Sequence, residues 1–283
     1  INAAGGSNGK QIEYKFEDDQ ADSEKSVNAY NTLKDWGMQA LIGTTTSTPC
    51  TAVVEETHSD NMFQLTPSAT AVDSIQYDNA FRMCFSDPNQ GSASADYIAE
   101  NKLATKVAII YNSSDTYSSG IYQTFATEAK AKGLDVVAAE AFTADNKTDF
   151  SVQIQKAKDA GAELVFLPIY YQEASLILAQ ANKAGFTPKW FGCDGMDGIL
   201  SVTNFDTSLA EGLMLLTPFS TTEESSKAFT EAYVAAYGIE PNQFAADSYD
   251  AIYAIKAAVE KAGVTADMSA SDIGDALKPA MTE

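Results

Sequence analysis

The sequence is poor in basic residues and contains a single histidine. Among its 283 residues, 18 lysines and arginines stand against 39 acidic residues, which gives a net charge of −21. Such a surface repels nucleic acid and anionic membranes, so we expect neither as a partner. No apolar run approaches the ~20 residues that a membrane-spanning helix needs. The apolar content of 45% still supports substantial cores, and the length suits two domains of ordinary size.

Sequence signatures of catalysis and of metal binding are also missing. His58 lies in a polar helix end, where a surface position is far more common than a catalytic one. A Ser-His-Asp or Cys-His site would have to use this histidine, and the sequence has no nucleophile elbow, dinucleotide-binding or Walker-type motif. The acidic run at residues 17–19 does not continue as a calcium loop. We therefore predict no catalytic residue, no metal and no cofactor, and an enzyme is the weakest hypothesis.

The three cysteines fit no zinc or redox motif. Cys50 is predicted in the helix after one strand and Cys84 near the end of a neighbouring strand, which leaves two interpretations open. A Cys50–Cys84 disulfide would indicate an oxidising compartment. Alternatively all three cysteines, Cys193 included, are small buried apolar side chains.

Strands and amphipathic helices alternate along the chain, which predicts an α/β fold with parallel sheets. Several strands are nearly continuous apolar runs, as expected where helices cover both faces of a sheet. We predict strands at residues 11–17, 40–43, 62–65, 80–85, 106–111, 134–139, 164–169, 189–192 and 212–217. We predict helices at residues 21–36, 49–59, 89–101, 121–132, 149–160 and 172–184, and then at 223–237, 244–262 and 271–277.

Two breaks in this pattern predict two domains. Residues 86–89 and 218–221 each follow a strand and carry turn residues. If the chain crosses at both, residues 1–87 and 219–283 form a discontinuous N-terminal lobe and residues 88–218 a C-terminal lobe. Crossovers of this kind act as hinges, with a cleft between the lobes.

Hydroxyl-rich loops follow two of the predicted strands. Residues 43–49 and 66–70 are dominated by threonine and serine, and we predict that Ser47 or Thr48 caps the helix after the first loop. Hydroxyls and N–H groups at the carboxyl edge of a parallel sheet, beside a helix N-terminus, can hold a carboxylate or a phosphate. Caps and turns use the same residue types, so a structural role is the competing interpretation. The candidate anion ligands are Ser47, Ser68 and Thr70.

Aromatic and acidic side chains follow strands in the second predicted lobe. Tyr117 follows a polar loop after one strand, and Tyr170 comes directly after another. Both rings could wall an apolar ligand and offer a phenol hydrogen bond, or they are surface aromatics at helix starts. Asp194 follows a third strand, where a carboxylate suits an ammonium group, and it could equally cap a helix.

Almost the whole chain resembles the type I periplasmic binding proteins of ABC transporters, in the branch of the leucine/isoleucine/valine-binding proteins. The resemblance rests on an ordered set of segments. They are residues 1–6 with Asn8-Gly9-Lys10, residues 17–20, 43–47 and 66–70, Phe81-Arg82, and residues 115–117 and 246–251. It implies two Rossmann-like domains with parallel sheets joined by hinge crossovers. The family's first strand-helix unit and its last strands are not found in this sequence, and we interpret the N-terminus as lying inside a domain.

The resemblance also implies a ligand site in two parts. Ser47 resembles the serine that holds a ligand carboxylate, Ser68 and Ala69 match positions whose backbone helps to hold it, and Thr70 matches the threonine at the α-amino acid group. Thr44 and Thr45 lie where the family has its pocket floor, and they differ from the usual pattern there.

The second part of the implied site comes from the second domain. Tyr117 and Tyr170 match the tyrosines of that domain. Asp194 matches the acidic residue that pairs with the α-ammonium group, which is often glutamate in leucine-type members.

The function that the resemblance implies is the capture of a small amino acid, neutral or aliphatic, in the cleft and its delivery to an ABC transporter permease. A monomer without cofactor is expected, in the periplasm or lipid-anchored on the outer cell surface, with a signal peptide that is not in this sequence. The alternative is a sensory or regulatory module of the same fold for an amide, urea or another small polar solute. Asp194 favours the amino acid, since a carboxylate pairs with an ammonium group.

Overall fold

The computed structural model describes residues 1–282 and has an α/β fold with two parallel sheets, as predicted. The strands are β1 (Leu41–Ile42), β2 (Gln64–Thr66), β3 (Ala80–Arg82), β4 (Lys106–Asn112), β5 (Asp135–Phe142), β6 (Leu164–Leu167), β7 (Lys189–Gly192) and β8 (Met214–Leu215). The helices are α1 (Ser23–Trp36), α2 (Ser47–Ser59), α3 (Asp87–Glu100), α4 (Thr116–Ala131), α5 (Ser151–Asp159), α6 (Tyr171–Lys183), α7 (Lys227–Tyr237), α8 (Gln243–Ala262) and α9 (Ala270–Thr282).

The chain divides into two compact units. The first unit comprises Ile1–Cys84 and the chain from Phe244 onward, and the second comprises Phe85–Gln243. The chain enters the second unit next to the break predicted at residues 86–89. It leaves at Gln243, later than the break predicted at residues 218–221, because Gln243 is hydrogen-bonded to Asp194 and Asp197 of the second unit.

A three-stranded parallel sheet in the order β1-β2-β3 forms the centre of the first unit. One group of buried side chains packs it against α1 and α2 and includes Tyr30, Leu33 and Val53. A second group packs it against α8 and α9 and includes Ile273 and Leu277. Because the strands are parallel, the loops after all three lie at the same edge of the sheet.

The second unit contains a five-stranded parallel sheet in the order β5-β4-β6-β7-β8. All four residues of β6 are buried, as a continuous apolar run predicts for a central strand. On one face α5 and α6 contribute Ile154 and Ile177, and on the other α3 and α4 contribute Ile98 and Phe125. The ring of Phe125 stacks on that of Phe166 in β6, with centroids 4.0 Å apart.

The strand predicted at residues 11–17 does not form. A strand needs a neighbour that completes its ladder of hydrogen bonds, and no strand within residues 1–282 pairs with this segment. Its aromatic side chains, Tyr14 and Phe16, are accordingly exposed. The cysteines form no disulfide in the described part of the chain, and Cys50 and Cys193 are buried, as in the second interpretation of their role.

Close packing of α3 on α4 depends on Gly91. A β-carbon at this position would lie 2.7 Å from the carbonyl oxygen of Ile121 and 2.8 Å from the backbone nitrogen of Phe125. We expect Gly91→Val to lower the free energy of unfolding by about 2 kcal/mol or more, because overpacking displaces one helix from the other. Thermal and denaturant unfolding measure the effect.

The matched control for this prediction is Ala93→Val, which adds a branched side chain at an exposed position of the same helix. Only helix propensity changes there, so we expect a loss below about 1 kcal/mol. Equal losses for the two variants would contradict the packing argument.

Candidate functional site

The loops after β1 and β2 are held in place by buried polar side chains. Gln64 Nε2 donates to the carbonyl oxygen of Gly43 at 2.9 Å, and Thr66 Oγ1 donates to that of Thr44 at 2.6 Å. Gln64 Oε1 in turn accepts the hydroxyl of Thr57 at 2.6 Å. Buried networks of this kind are rigid when their members are paired, so the strand ends offer a preorganised frame.

Ser47 lies at the centre of the hydroxyl-rich loops and is 1% exposed. Its Oγ accepts the backbone N–H groups of Thr70 at 3.1 Å and Ala71 at 3.2 Å. A hydroxyl has two acceptor lone pairs and one proton. Both lone pairs are occupied, and no acceptor within residues 1–282 takes the proton. Ser47 is therefore available only as a donor, which suits an acceptor such as a carboxylate oxygen.

The predicted helix-cap role of Ser47 or Thr48 is wrong. The helix α2 begins at Ser47 itself, so its N-cap is Thr46, which makes no side-chain cap bond. A cap bonds N–H groups of its own helix, whereas Ser47 bonds N–H groups 23 and 24 residues further along the chain. Thr45, in the same loop, is exposed.

The other residues predicted to bind a ligand carboxylate differ in which hydrogen-bond donors are still unused. Thr70 Oγ1 is buried and has no hydrogen-bond partner in the described part of the chain. Ser68 Oγ donates to Asp247 Oδ2 at 2.7 Å, and the N–H of Ala69 donates to Thr66 Oγ1 at 3.0 Å. The hydroxyl proton of Ser68 and the N–H of Ala69 are thus already used within the first unit.

In the second unit, Asp194 is buried at the carboxyl end of β7, with 2% of its surface exposed. Its Oδ1 accepts the hydroxyl of Tyr117 and the N–H of Gly195, both at 2.8 Å. Two glutamines hold its backbone: its N–H donates to Gln90 Oε1 and its carbonyl accepts Gln243 Nε2, both at 3.2 Å. The carboxylate therefore has a fixed position.

The electrostatic environment of Asp194 disfavours its charge. Burial raises its pKa from 3.8 to about 6, although the hydrogen bonds from Tyr117 and Gly195 act in the opposite direction. No lysine, arginine or histidine within residues 1–282 forms an ion pair with it. A buried carboxylate is costly unless a cation accompanies it, so the ionised form of Asp194 is suited to a cationic group on a ligand.

The two predicted tyrosines form one stack. The rings of Tyr117 and Tyr170 lie 4.7 Å apart with an angle of 21° between their planes. Tyr117 is 1% exposed, and its hydroxyl both donates to Asp194 and accepts the N–H of Gly195 at 2.9 Å. Tyr170 is half-buried. Tyr117 thus orients the carboxylate, while Tyr170 is the more accessible of the two rings.

Sequence reasoning missed four residues that support these side chains. Arg82 donates to the carbonyl groups of Thr70 and Ala71, and it entered the sequence argument only as part of the family resemblance. Asp247 likewise entered only through the resemblance, within residues 246–251, and no sequence signal marked Gln90 or Gln243. Each contacts a predicted residue that is distant in the sequence, and local patterns carry no information about such pairs.

Two further findings bear on the chemistry. Within residues 1–282, no three His, Cys, Asp or Glu side chains are grouped so that they could hold a metal ion. In the same part of the chain, no helix is both long enough and apolar enough to cross a membrane.

Comparison with known protein families matches residues 1–283 to the family described as "Periplasmic binding protein". Among curated proteins, the chain is 29% identical over 272 residues to the "Leu/Ile/Val-binding protein homolog 3" of Brucella melitensis, covering 95% of this chain and 73% of the relative. It is also 29% identical over 269 residues to the "Leucine-, isoleucine-, valine-, threonine-, and alanine-binding protein" of Pseudomonas aeruginosa, covering 93% and 70%.

A solved structure is similar over nearly the same extent. The branched-chain amino acid transporter substrate binding protein LivJ from Streptococcus pneumoniae, in complex with isoleucine, superposes with a TM-score of 0.88 at 30% identity. The match covers 98% of this chain and 78% of that one.

Proposed function

Because the chain belongs to the periplasmic binding protein family, we propose that it is an extracytoplasmic solute-binding protein that captures a neutral amino acid and delivers it to an ABC transporter. The observation that carries the proposal is the chemistry of Asp194, a buried carboxylate with fixed geometry and no cationic partner among the described residues. An ammonium group supplies the missing charge. Ser47, with only a proton to offer, complements a carboxylate.

An α-amino acid carries both groups, which is why it suits the two parts of the site better than an amine or an acid alone. Desolvating both charges is costly unless each is paired. We assign the ligand carboxylate to the hydroxyls of Ser47 and Thr70, with the backbone N–H of Ser68 beside them, whereas the N–H of Ala69 is bonded to Thr66 and shapes the loop. The ammonium group is assigned to Asp194.

The ligand side chain is assigned to less polar surroundings. Tyr170 is accessible enough to cover it, whereas Tyr117 acts through Asp194. Thr45 is assigned to the floor of the pocket for this side chain. An aliphatic side chain is favoured, since both relatives are named for leucine, isoleucine and valine, one of them also for threonine and alanine, and the solved relative holds isoleucine.

The remaining parts of the proposal follow from the family. The partner is an ABC transporter permease, the protein acts as a monomer, and its two lobes are the two compact units. No chemical step is assigned to it, because binding and release of the ligand complete its task and the only histidine, His58, is exposed.

The test is thermal unfolding of the protein against the twenty amino acids, urea and short amides. A ligand at about 100 times its Kd adds ~2.7 kcal/mol to the free energy of unfolding, so we expect a clear rise in the midpoint with aliphatic amino acids. L-Leucinamide and N-acetyl-L-leucine, which lack one charge each, should shift the midpoint far less than L-leucine. Recovery of unchanged leucine after incubation checks that no reaction occurs.

Two outcomes would contradict the proposal. A shift with urea or an amide and with no amino acid would identify a sensory module of the same fold. A changed product in the recovered ligand would identify an enzyme.

A further inference from the structure

Arg82 is the only arginine in the chain and lies at the carboxyl end of β3. Its Nη1 donates to the carbonyl oxygen of Thr70 at 2.8 Å and to that of Ala71 at 3.1 Å. The side chain is half-buried, and no carboxylate within residues 1–282 forms an ion pair with it. Arginine stays protonated in proteins, so an unpaired positive charge faces the loop that also carries Thr70.

The contact of Arg82 continues into Ser47. The carbonyl of Thr70 and the N–H of Ala71 belong to one peptide group. Arg82 donates to the oxygen of this group, and the N–H of the same group donates to Ser47 Oγ at 3.2 Å. Hydrogen bonds in such a chain polarise one another, and a charged donor strengthens them.

We infer that Arg82 is a positioning residue for carboxylate recognition, which acts on the ligand through the Thr70–Ala71 peptide group and the hydroxyl of Ser47. This inference rests on the proposed function. Arg82 clamps the carbonyls of the two residues whose N–H groups occupy both lone pairs of Ser47. It thereby leaves the hydroxyl proton of Ser47 available to the ligand and makes this hydroxyl a stronger donor. A stronger donor favours a charged acceptor over a neutral one.

The test compares L-leucine with L-leucinamide by isothermal titration calorimetry on Arg82→Met and Arg82→Lys. We expect Arg82→Met to lower the affinity for L-leucine about tenfold or more and the affinity for L-leucinamide less than about threefold. Charge-assisted hydrogen bonds, which only the carboxylate of L-leucine can accept, are the stronger ones. Arg82→Lys keeps the positive charge and should restore part of the preference for the carboxylate. If Arg82→Met does not fold, the same ratio measured on Arg82→Lys decides.

A double-mutant cycle tests the route through Ser47. In a Ser47→Ala background the series of hydrogen bonds from Arg82 to the ligand is already interrupted. Arg82→Met should then lower the affinity for L-leucine by less than about twofold. Asn79→Ala is the structural control. It removes buried hydrogen bonds to Met62 and Thr57 in the same unit, so the unfolding midpoint should fall while the ratio of the two ligand affinities stays constant.

The outcomes separate this inference from the proposed function. Equal losses of affinity for both ligands in Arg82→Met, or additive losses of affinity in the double-mutant cycle, would show a purely structural role for Arg82. Either result would overturn this inference and leave the proposed function standing. A wild-type protein that binds no amino acid would overturn both.

Discussion

Replacing Asp194 by asparagine is expected to weaken the binding of L-leucine about 30-fold or more. The substitution preserves the shape of the side chain but removes the only charge assigned to the ligand ammonium group. Removing one partner of a buried, hydrogen-bonded charge pair costs about 2–5 kcal/mol, and each 1.4 kcal/mol is about tenfold in Kd. Isothermal titration calorimetry at neutral pH measures the loss.

The same variant should be more stable than the wild type in the absence of ligand. At neutral pH the wild-type protein keeps an ionised carboxylate buried, whereas asparagine is neutral. A raised unfolding midpoint together with a lowered affinity distinguishes a binding residue from a structural one. Loss of a structural contact lowers both the midpoint and the affinity. Asp206→Asn is the control, because the carboxylate of Asp206 accepts hydrogen bonds from Ser208 in an exposed turn of the same unit. Undiminished affinity in Asp194→Asn would reduce Asp194 to a residue that orders its own loop.

Affinity for L-leucine is expected to fall about tenfold per pH unit below pH ~6. The ammonium group pairs with ionised Asp194, whose pKa burial raises to about 6, so protonation competes with binding below that pH. Above it the carboxylate is ionised and affinity should be constant. Calorimetry between about pH 4.5 and 8, where leucine keeps both of its charges, measures the profile.

The stability of the ligand-free protein is linked to the same titration, with a definite sign. The folded-state pKa of Asp194 lies above its ordinary value of 3.8, so folding favours the protonated form. The stability that protonated Asp194 contributes is fully present below pH ~4 and is lost as the pH rises to about 6. The loss is roughly 3 kcal/mol, because the folded-state pKa lies about two above the ordinary value. Asp194→Asn should remove both this loss and the pH dependence of binding.

Two neighbours of Asp194 do not titrate in this range. Burial raises the pKa of both Tyr117 and Cys193 above their ordinary values, so each stays protonated from pH ~4 to 8. A pH profile that persists in Asp194→Asn would assign the titration to another group and contradict the prediction.

The sequence predicted the α/β class and the location of most helices and strands well. The strand at residues 189–192 has the predicted bounds, and the helix predicted at 244–262 begins one residue earlier. Both segments have strong local patterns of apolar residues that exist before any tertiary contact. The segment at residues 11–17 has a similar pattern and is no strand, because pairing depends on a neighbour that the pattern does not specify.

The location of the candidate residues at strand ends was predictable from the sequence, but their hydrogen bonds were not. Ser47 was singled out as an anion ligand, yet its predicted competing role as a cap is replaced by bonds to Thr70 and Ala71. Ser68 was singled out as well, and the structure directs its hydroxyl to Asp247, 179 residues away. A serine pattern indicates that a donor is present, and its surroundings determine which acceptor receives the proton.

The sequence by itself therefore determined the fold class, the absence of familiar catalytic motifs and the placement of polar loops at strand ends, because periodicity, turn residues and motif spacing are local properties. Only the tertiary structure decided that Asp194 is buried beside Tyr117, with no cationic partner in the described part of the chain, and that Arg82 is linked to Ser47 through one peptide group. Burial and hydrogen-bond saturation depend on residues brought together across long stretches of chain. They are also the properties that give these side chains their charge preference and hence their proposed function.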